Sequence, residues 1–477
     1  MNEHFVPDAS LFTSITDIDL TFNHVAVVVG FVLAIVLFAR IFRHHATPTT
    51  SIAWLLAIVF MPYVGVPAYL IFGGRKLRRR ADAKHRLRYP LMGPVAKPPT
   101  DHVAPRVLAA FDMPPARPGT KVELITDGGI AFTQILNLID EANSSIELQT
   151  FIFTDDSTGR VIAEHLQARA QAGVEVLVLV DALGSFLARF RLLRQLSRGG
   201  VKVGVFMRMM PVRRRWSANL RNHRKLAVFD KHTALVGGMN IGVSYMGSEA
   251  DPSRWLDTCM VLQGPIVADI QSVFANDWEF ATRESRDVAT PVAEPLHPGE
   301  VVQLLVSGPD VDGEPLSDIV VSSIHKARER VWLISPYFVP DAGIIRALNT
   351  QARLGVDVRI VLPRRSNHWT ADMARNRILR ELGMSGVKLY LHPDKMIHAK
   401  HMIIDDDLLL SGSANLDLRS LYYNYEMALL HYSPATILAV ATWAGGVIAE
   451  CEEPDLSEPG FFKRWAEDLC WLVGPLL

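Results

Sequence analysis

The chain has 477 residues, of which 49% are hydrophobic and 21% are charged, and its formal net charge is −1. Domains usually contain about 100–200 residues, so this length excludes a single small domain and predicts two globular domains with additional segments. A net charge near zero excludes a general attraction to nucleic acid or anionic lipid, so any such attraction must come from local clusters. The three cysteines, Cys259, Cys451 and Cys470, lack the spacing of a zinc site or a disulfide framework, and we interpret them as packing thiols.

Two apolar runs, at 25–39 and 52–73, follow a tail at 1–20 and predict a membrane region at 21–74 with segments at about 21–42 and 52–73. About 20 helical residues cross a bilayer, and the second run is long enough for this. Because Pro62, Gly65 and Pro67 interrupt it, a kinked or partly re-entrant segment is the alternative to a straight helix. The acidic tail and the lack of a small-residue cleavage pattern argue against a removed signal peptide. Basic residues are denser after the second run than between the runs, which predicts a cytoplasmic C-terminal part.

A basic, proline-rich linker follows at 75–120. Beside a membrane segment, its eight basic residues at 75–88 are expected to contact anionic headgroups, and a solvated linker is the alternative.

Beyond the linker the chain repeats itself with a period of about 180 residues. The segments at 144–185 and 329–367 both predict an apolar strand, a helix ended by glycine, and a buried strand. The predicted fold class is therefore α/β, with two similar lobes at 121–289 and 300–455, each a mixed β-sheet flanked by helices. A transmembrane helical hairpin is expected before them, and a C-terminal segment at 456–477 after them.

Each copy ends in the same set of polar residues. The first reads NHRKLAVFDKHTALVGGMN at 222–240, and the second reads IHAKHMIIDDDLLLSGSAN at 397–415. Aligned without gaps, both give His-x-Lys, an acid and then Gly-(Gly/Ser)-x-Asn. The matched residues are His223, Lys225, Asp230 and Asn240 in the first copy and His398, Lys400, Asp405 and Asn415 in the second.

This spacing has a chemical interpretation. In an extended segment, His-x-Lys directs both side chains to one face, where they can address one anion. Lysine supplies a compact positive charge and asparagine a neutral donor, which together suit the oxygens of a phosphate diester. Histidine can act as nucleophile, acid or base.

The paired motifs resemble the signature of the phospholipase D superfamily over roughly residues 121–435. Finer features are similar to its cardiolipin synthase branch, namely GGMNIG (237–242), RWLDT (254–258), SPYFVPD (335–341), GSANLDLRS (412–420), NYE (424–426) and GPLL (474–477). Cardiolipin synthases commonly have Trp-Arg-Asp where this chain has Trp255, Leu256 and Asp257. The resemblance implies two phospholipase D-like lobes and a phosphatidyltransferase that joins two phosphatidylglycerol molecules. It also implies a multi-pass protein of the bacterial inner membrane.

The resemblance further implies one site shared by both lobes. In it, His223 attacks phosphorus to form a phosphohistidine, and His398 acts as general acid and then as base; the opposite order stays open. The residues expected to stabilise charge on the pentacoordinate phosphorus are Lys225, Lys400, Asn240 and Asn415. No metal or other cofactor is expected.

Four carboxylates support this site in the prediction. Asp230 and Asp405 belong to the catalytic motifs and are expected to fix the motif loops rather than touch substrate. Asp257 and Glu426 are each expected to hold a catalytic imidazole in its working tautomer, with ordinary surface acids as the alternative.

The expected partners are phosphatidylglycerol, cardiolipin and anionic membrane lipids, with no nucleic acid, and a homo-oligomer is left open. The segment at 186–216 mixes apolar side chains with arginines, which predicts a membrane-interface surface. A core helix followed by a flexible loop is the alternative.

Three other functions remain open. A phospholipase D hydrolase or a phosphatidylserine synthase would use the same histidines with water or serine as acceptor. A nuclease would suit the basic clusters, although two apolar N-terminal segments favour a membrane enzyme. A non-enzymatic membrane scaffold would be favoured only if one motif had decayed, and both motifs are intact.

Overall fold

The computed structural model describes residues 56–58, 60, 61, 63, 65, 84, 87–89, 93–98, 102–207, 220–286 and 292–472. The chain divides into two compact units, residues 1–80 and 81–477. The described residues of the first unit include a helical turn in which Met61 N donates to Ala57 O at 3.0 Å. Both predicted membrane segments lie largely outside the described residues. Within the described part, no helix is both long enough and apolar enough to span a bilayer.

The second unit contains two copies of one α/β arrangement. The first copy comprises α1 (Ala104–Ala110), β1 (Arg117–Ile125), α2 (Gly128–Glu141), β2 (Ser145–Thr150), α3 (Ser157–Gln171), β3 (Glu175–Asp181), a 3₁₀ turn (Ala188–Phe190), α4 (Leu192–Arg198), β4 (Lys202–Phe206), β5 (Leu226–Phe229), β6 (Thr233–Gly237), β7 (Cys259–Gln263) and α5 (Ile266–Thr282).

The second copy repeats this order with a small additional sheet. It comprises β8 (Glu300–Ser307), α6 (Pro315–Lys326), β9 (Arg330–Ile334), β10 (Phe338–Val339), α7 (Ala342–Arg353), β11 (Asp357–Pro363), α8 (Trp369–Met384), β12 (Lys388–His392), β13 (His401–Ile404), β14 (Leu408–Gly412), β15 (Leu416–Asp417), α9 (Leu418–Tyr422), β16 (Glu426–His431) and α10 (Pro434–Ala449). The described chain ends in α11 (Phe461–Leu472).

Fourteen of these strands form one continuous sheet, in the order β12-β11-β9-β13-β14-β16-β8-β1-β7-β6-β5-β2-β3-β4. β1 and β8, the first strand of each copy, pair antiparallel at its centre, so equivalent strands follow in the same order on either side. Each half contains parallel pairs, such as β2 with β3, and antiparallel pairs, such as β5 with β6. The predicted α/β class with mixed sheets is confirmed, and the two half-sheets are joined into one.

Local sequence accounts for these elements. β2 and β3 are almost wholly buried, as expected for strands covered by helices on both faces. The helices α2, α3 and α7 begin at aspartate N-caps, whose carboxylates accept backbone N–H groups of the first turn. β5 and β13 occupy equivalent places in the two halves, and each directly follows a His-x-Lys segment.

The linker residue Lys84 does not face lipid headgroups, so that expectation is wrong for it. Its side chain is buried and forms ion pairs with Asp277 and, at 2.7 Å, with Asp310. Arg88 pairs with Glu279 on α5. An ammonium group removed from water must be paired, so Lys84 ties the linker to both copies.

Candidate active site

The two His-x-Lys segments occupy equivalent places, directly before equivalent strands of the sheet. His223 and Lys225 precede β5, and His398 and Lys400 precede β13. All four side chains are buried, with His223 at 8% exposure and His398 at 4%. The intervening residues of the two motifs, Arg224 and Ala399, are fully buried.

Backbone hydrogen bonds join each motif to the other half of the molecule. His223 N donates to Tyr425 O at 2.9 Å, and His398 N donates to Leu256 O at 2.7 Å. Leu256, at the position where the family motif has arginine, also donates its own N–H to Met396 O at 2.8 Å. The backbone of Leu256, rather than its side chain, therefore holds the second motif in place.

The supporting carboxylates cross between the halves. His223 Nδ1 lies 3.0 Å from Oε1 of Glu426, and His398 Nδ1 lies 2.6 Å from Oδ2 of Asp257. The first histidine is thus held by an acid of the second copy, and the second histidine by an acid of the first. When Nδ1–H donates to a carboxylate, Nε2 keeps its lone pair and can attack or accept a proton.

Burial and charge set the protonation states. Burial lowers the pKa of His223 below its ordinary value and lowers that of His398 to about 3, and neighbouring lysines add to both shifts. Burial acts to raise the pKa of Glu426 and Asp257, but the adjacent histidines and lysines hold both pKa values below normal. The resting arrangement is two neutral imidazoles, each donating to an ionised carboxylate.

The two lysines supply positive charge to the same site. Lys225 Nζ donates to His223 O at 2.8 Å, and Lys400 Nζ donates to His398 O in the same way. Lys400 Nζ also lies 2.8 Å from Nδ1 and 3.1 Å from Nε2 of the His398 ring. Burial lowers the pKa of Lys225 to about 7, with a further contribution from Lys400, whose own pKa burial lowers to about 8. The half-sites are therefore close enough for their charges to interact. Two lysines in one buried site favour an anionic ligand.

The two asparagines are fixed near the motifs. Asn240 Oδ1 accepts from Ile152 N at 3.1 Å, which leaves its amide nitrogen as the donor end. Asn415 is 6% exposed and its side chain hydrogen-bonds Asp417. Among the described residues, no group of three or more His, Cys, Asp or Glu side chains is arranged to hold a metal.

Asp230 and Asp405 lie at the other ends of β5 and β13 from the histidines, so the structure does not bring them to the imidazoles. Both have left-handed backbone, with φ of 51° and 48°. The Asp230 carboxylate accepts N–H groups of residues 143–145, and the Asp405 carboxylate those of 328–330. Each aspartate thus anchors the end of its strand to the neighbouring strand.

Several residues of the site were missed from sequence. Ser413 Oγ donates to Glu426 at 2.5 Å and Ser420 Oγ at 2.7 Å, whereas a Cβ at the equivalent Gly238 would lie 2.2 Å from the Asp257 carboxylate. The difference between GGMN and GSAN is visible in the sequence, but only the contacts show that the serine donates to Glu426 and that the equivalent glycine leaves room for Asp257. The rings that pack on the imidazoles are Phe151 on His223, and Tyr245 and Trp255 on His398.

A buried ionic cluster lies behind His223. Arg224 pairs with Asp277 at 2.7 Å and with Asp310 at 3.1 Å, and its Nε donates to Glu426 O at 3.2 Å. Removing one member of such a cluster leaves an uncompensated buried charge. The cluster therefore fixes the backbone on both sides of the His223–Glu426 contact.

The chain is similar to known protein families and to known proteins. The family described as cardiolipin synthase, phospholipase D-like domain, matches residues 135–278 and 320–445, and a phospholipase D–nuclease N-terminal family matches 32–74. Cardiolipin synthase A of Pseudomonas putida is 33% identical, over 80% of this chain and 82% of that protein. Cardiolipin synthase A of Pseudomonas syringae pv. syringae (strain B728a) is 35% identical, over 80% and 83%.

Among solved structures, phosphatidylserine synthase of Haemophilus influenzae Rd KW20 has the same fold. It superposes with a TM-score of 0.61 at 16% identity, over 78% of this chain and 99% of that chain. The family match spans both halves, and the sequence relatives match across most of their length. This chain therefore belongs to the cardiolipin synthase family of phospholipase D-like proteins.

Proposed function

We propose that this chain is a cardiolipin synthase, which transfers the phosphatidyl group of one phosphatidylglycerol to a second and releases glycerol. Its sequence relatives at 33–35% identity are cardiolipin synthases. The observation that carries the proposal is the crossed pair of histidines, each held through Nδ1 by a carboxylate of the other half. Such a pair suits a reaction in which one group bonds to phosphorus and the other moves protons.

In the first step, Nε2 of His223 bonds to phosphorus while the bond from phosphorus to the glycerol headgroup oxygen breaks. His398 protonates that oxygen, and glycerol leaves. Without substrate, burial lowers the pKa of His398 to about 3, so its imidazole is neutral. The negative charge of the bound diester raises this pKa, and His398 then takes up the proton that it donates. Glu426 stabilises the positive charge that develops on the His223 ring.

In the second step, the headgroup hydroxyl of another phosphatidylglycerol attacks the phosphohistidine. His398 accepts the hydroxyl proton, the oxygen bonds to phosphorus and the bond to His223 breaks, which gives cardiolipin. Lys225 and Lys400 neutralise charge on the phosphate oxygens in both steps, and the amides of Asn240 and Asn415 provide neutral donors.

Transfer rather than hydrolysis requires that an alcohol outcompete water at the phosphohistidine. The imidazoles are 8% and 4% exposed and are covered by aromatic rings, which limits the access of bulk water. A buried site of this kind supports phosphatidyl transfer.

We place the enzyme in the bacterial inner membrane as a multi-pass protein, with a transmembrane helical hairpin at 21–74 and a cytoplasmic catalytic unit. The apolar runs at 25–39 and 52–73 and the family match at 32–74 support this arrangement. The density of basic residues after the second run supports the cytoplasmic orientation.

The test is product analysis with the full-length protein. Phosphatidylglycerol labelled in its headgroup and acyl chains is supplied alone, without added metal, and cardiolipin, phosphatidic acid and glycerol are quantified. Equal amounts of cardiolipin and glycerol are expected. Phosphatidic acid without cardiolipin would identify a hydrolase, and phosphatidylserine on addition of serine and a suitable donor would identify a phosphatidylserine synthase.

A further inference from the structure

The C-terminal helix α11 docks on α8 through its charged residues. Glu467 is fully buried and accepts hydrogen bonds from Asn376 at 3.0 Å and from Arg380 at 2.5 Å. Asp468 pairs with Arg377 at 3.0 Å. Both acidic side chains of this helix are therefore engaged with α8.

The large apolar residues in the first part of α11 are exposed, whereas Cys470 near its end is buried. Phe461, Phe462, Trp465 and Leu469 are 77%, 84%, 62% and 48% exposed. Because positions 461, 465 and 469 recur every four residues and 462 lies beside them, these four side chains form one stripe along the helix. We call it the α11 stripe. A surface helix of a soluble domain normally buries such a stripe, whereas α11 exposes it and buries the charged residue Glu467.

The contacts between α11 and α8 define the relative direction of the two helices. Glu467 meets Arg380 and the Trp471 ring meets Arg377 at 5.0 Å, so α11 and α8 run antiparallel. The start of α8 therefore points in the direction of the C-terminal end of α11, and its first residue, Trp369, is 71% exposed.

Ring contacts continue from α8 toward the histidines. His368, just before α8, lies 5.2 Å from the Tyr337 ring. Tyr337 directly precedes β10, in which Phe338 pairs with Leu416 of β15, the residue after Asn415 of the second motif. The Tyr245 ring lies 5.1 Å from that of His398.

We propose that the α11 stripe inserts into the interfacial layer of a phospholipid bilayer and holds the active site against the lipid surface. Phenylalanine and tryptophan favour that layer, and a helix with such a stripe lies in its plane. The helix's basic residues, Lys463 and Arg464, are exposed while its acids face α8, which suits anionic headgroups; Arg464 also lies 3.7 Å from the exposed Glu458.

The size of the stripe favours a bilayer over a second copy of the chain. Four partly exposed side chains of these types present on the order of 500 Å², whereas a stable protein interface buries about 800 Å² on each partner. The inference rests on the proposed function only in taking membrane phospholipid as the substrate.

The first test places a reporter on the stripe of the full-length protein in phosphatidylglycerol-containing proteoliposomes. Cys259, Cys451 and Cys470 are replaced by alanine, and Phe462→Cys carries an environment-sensitive fluorophore. Leu438→Cys on α10, where the native side chain is 62% exposed, is the matched control. We expect a blue shift and quenching by acyl-chain-brominated lipid at 462 and neither at 438.

Two outcomes of this test would overturn the proposal. One is that the probe at 462 behaves like the probe at 438. The other is a shift that grows with protein density and is insensitive to brominated lipid, which would mean that a second copy covers the stripe. The readout needs no turnover, whereas failure of the proposed function would appear as absence of cardiolipin from the unmodified enzyme.

The second test uses kinetics. A variant with Phe461→Ser, Phe462→Ser, Trp465→Ser and Leu469→Ser is expected to lose at least tenfold in kcat/KM on vesicle phosphatidylglycerol. Its rate on monomeric short-chain phosphatidylglycerol should match the unmodified enzyme, and Leu438→Ser should change neither rate. Retention of the vesicle rate, or equal loss on both substrates, would refute a role at the lipid surface.

Discussion

The two half-sites share a backbone plan but differ in how each histidine is supported. Glu426, which holds His223, accepts hydroxyl hydrogen bonds from Ser413 and Ser420. Asp257, which holds His398, accepts the backbone N–H of Thr258 at 2.8 Å. In the GSAN copy, the Ser413 hydroxyl donates to the Glu426 carboxylate. In the GGMN copy, the equivalent residue is Gly238, which lies so close to the Asp257 carboxylate that a side chain would not fit.

The surroundings of the imidazoles differ as well. His398 lies against two aromatic rings and closer to its carboxylate, at 2.6 Å compared with 3.0 Å for His223. A duplicated motif has therefore become two unequal groups at one site. This is what a reaction needs when one imidazole bonds to phosphorus and the other transfers protons.

The largest effect is expected from removing either imidazole. His223→Ala and His398→Ala should each reduce kcat by at least about 10⁴-fold, because each takes part in bond making or proton transfer. The double variant should be no worse, since the residues act as a unit. Cardiolipin formation from labelled phosphatidylglycerol is the measurement.

His165→Ala, at a partly exposed histidine paired with Asp140, is the matched control and should retain full activity. Acid-labile label on the protein would separate the two roles, because the variant that lacks the nucleophile cannot form the adduct. Substantial turnover in either single variant would rule out the two-histidine scheme.

Replacing the Asp257 and Glu426 carboxylates by amides should reduce kcat by different amounts, because the two half-sites support their histidines differently. Asp257→Asn keeps the Thr258 contact with its oxygen and turns its NH₂ toward His398 Nδ1, so we expect a loss of about 10³-fold in kcat from the wrong tautomer. Glu426→Gln should lose less, about 10²-fold, because Ser413 and Ser420 can reverse as acceptors of the amide. Equal losses, measured by steady-state kinetics, would contradict the asymmetry.

The lowered pKa values of the two lysines predict that activity falls at alkaline pH. Because the pKa of Lys225 is lowered to about 7 and that of Lys400 to about 8, both lose their charge as pH rises through this range. Attraction for the diester is then lost, so kcat/KM should fall above about pH 7, by up to about tenfold per pH unit for each lysine that must be charged. A bound diester raises both pKa values, so the limb for kcat should lie at higher pH.

Full pH profiles of kcat and kcat/KM test this prediction. Lys225→Arg stays charged throughout and should move the remaining limb toward that of Lys400. An identical alkaline limb in the variant, or coincident limbs for the two kinetic parameters, would show that the lysines do not titrate in this way.

The smallest effect is expected at the serine that distinguishes GSAN from GGMN. Ser413→Ala removes one hydroxyl donor from Glu426, while Ser420 continues to hold the carboxylate. A hydrogen bond to a charged group contributes about 1.5–3 kcal/mol, and partial compensation should limit the loss to about tenfold in kcat. Ser322→Ala on α6 is a control whose hydroxyl bonds only to backbone carbonyls. An effect as large as that of Glu426→Gln would mean that the serine itself acts on the substrate.

Much of the fold followed from local pattern. An apolar strand, a helix ended by glycine and a Val-rich strand together predict a β-α-β unit. Strands that helices cover on both faces of the sheet are buried, and their sequences are therefore continuously apolar. The in-register His-x-Lys and Asn residues predicted the candidate site in the same way. Lys84 was misassigned because a basic residue in a linker carries no signal for the buried aspartates that it meets.

The sequence by itself selected the histidines, lysines and asparagines of the candidate site, since the chemistry of a phosphate diester and the alternation of an extended segment select the same residue types in both copies. Only the tertiary structure decided that Asp257 serves His398 and Glu426 serves His223, because the antiparallel β1–β8 pairing turns one copy against the other. The orientation of α11 was likewise decided by docking, since periodicity defines an apolar face but not the side on which the protein lies. Contacts between residues far apart in the chain depend on how whole elements pack, and local pattern does not encode that choice.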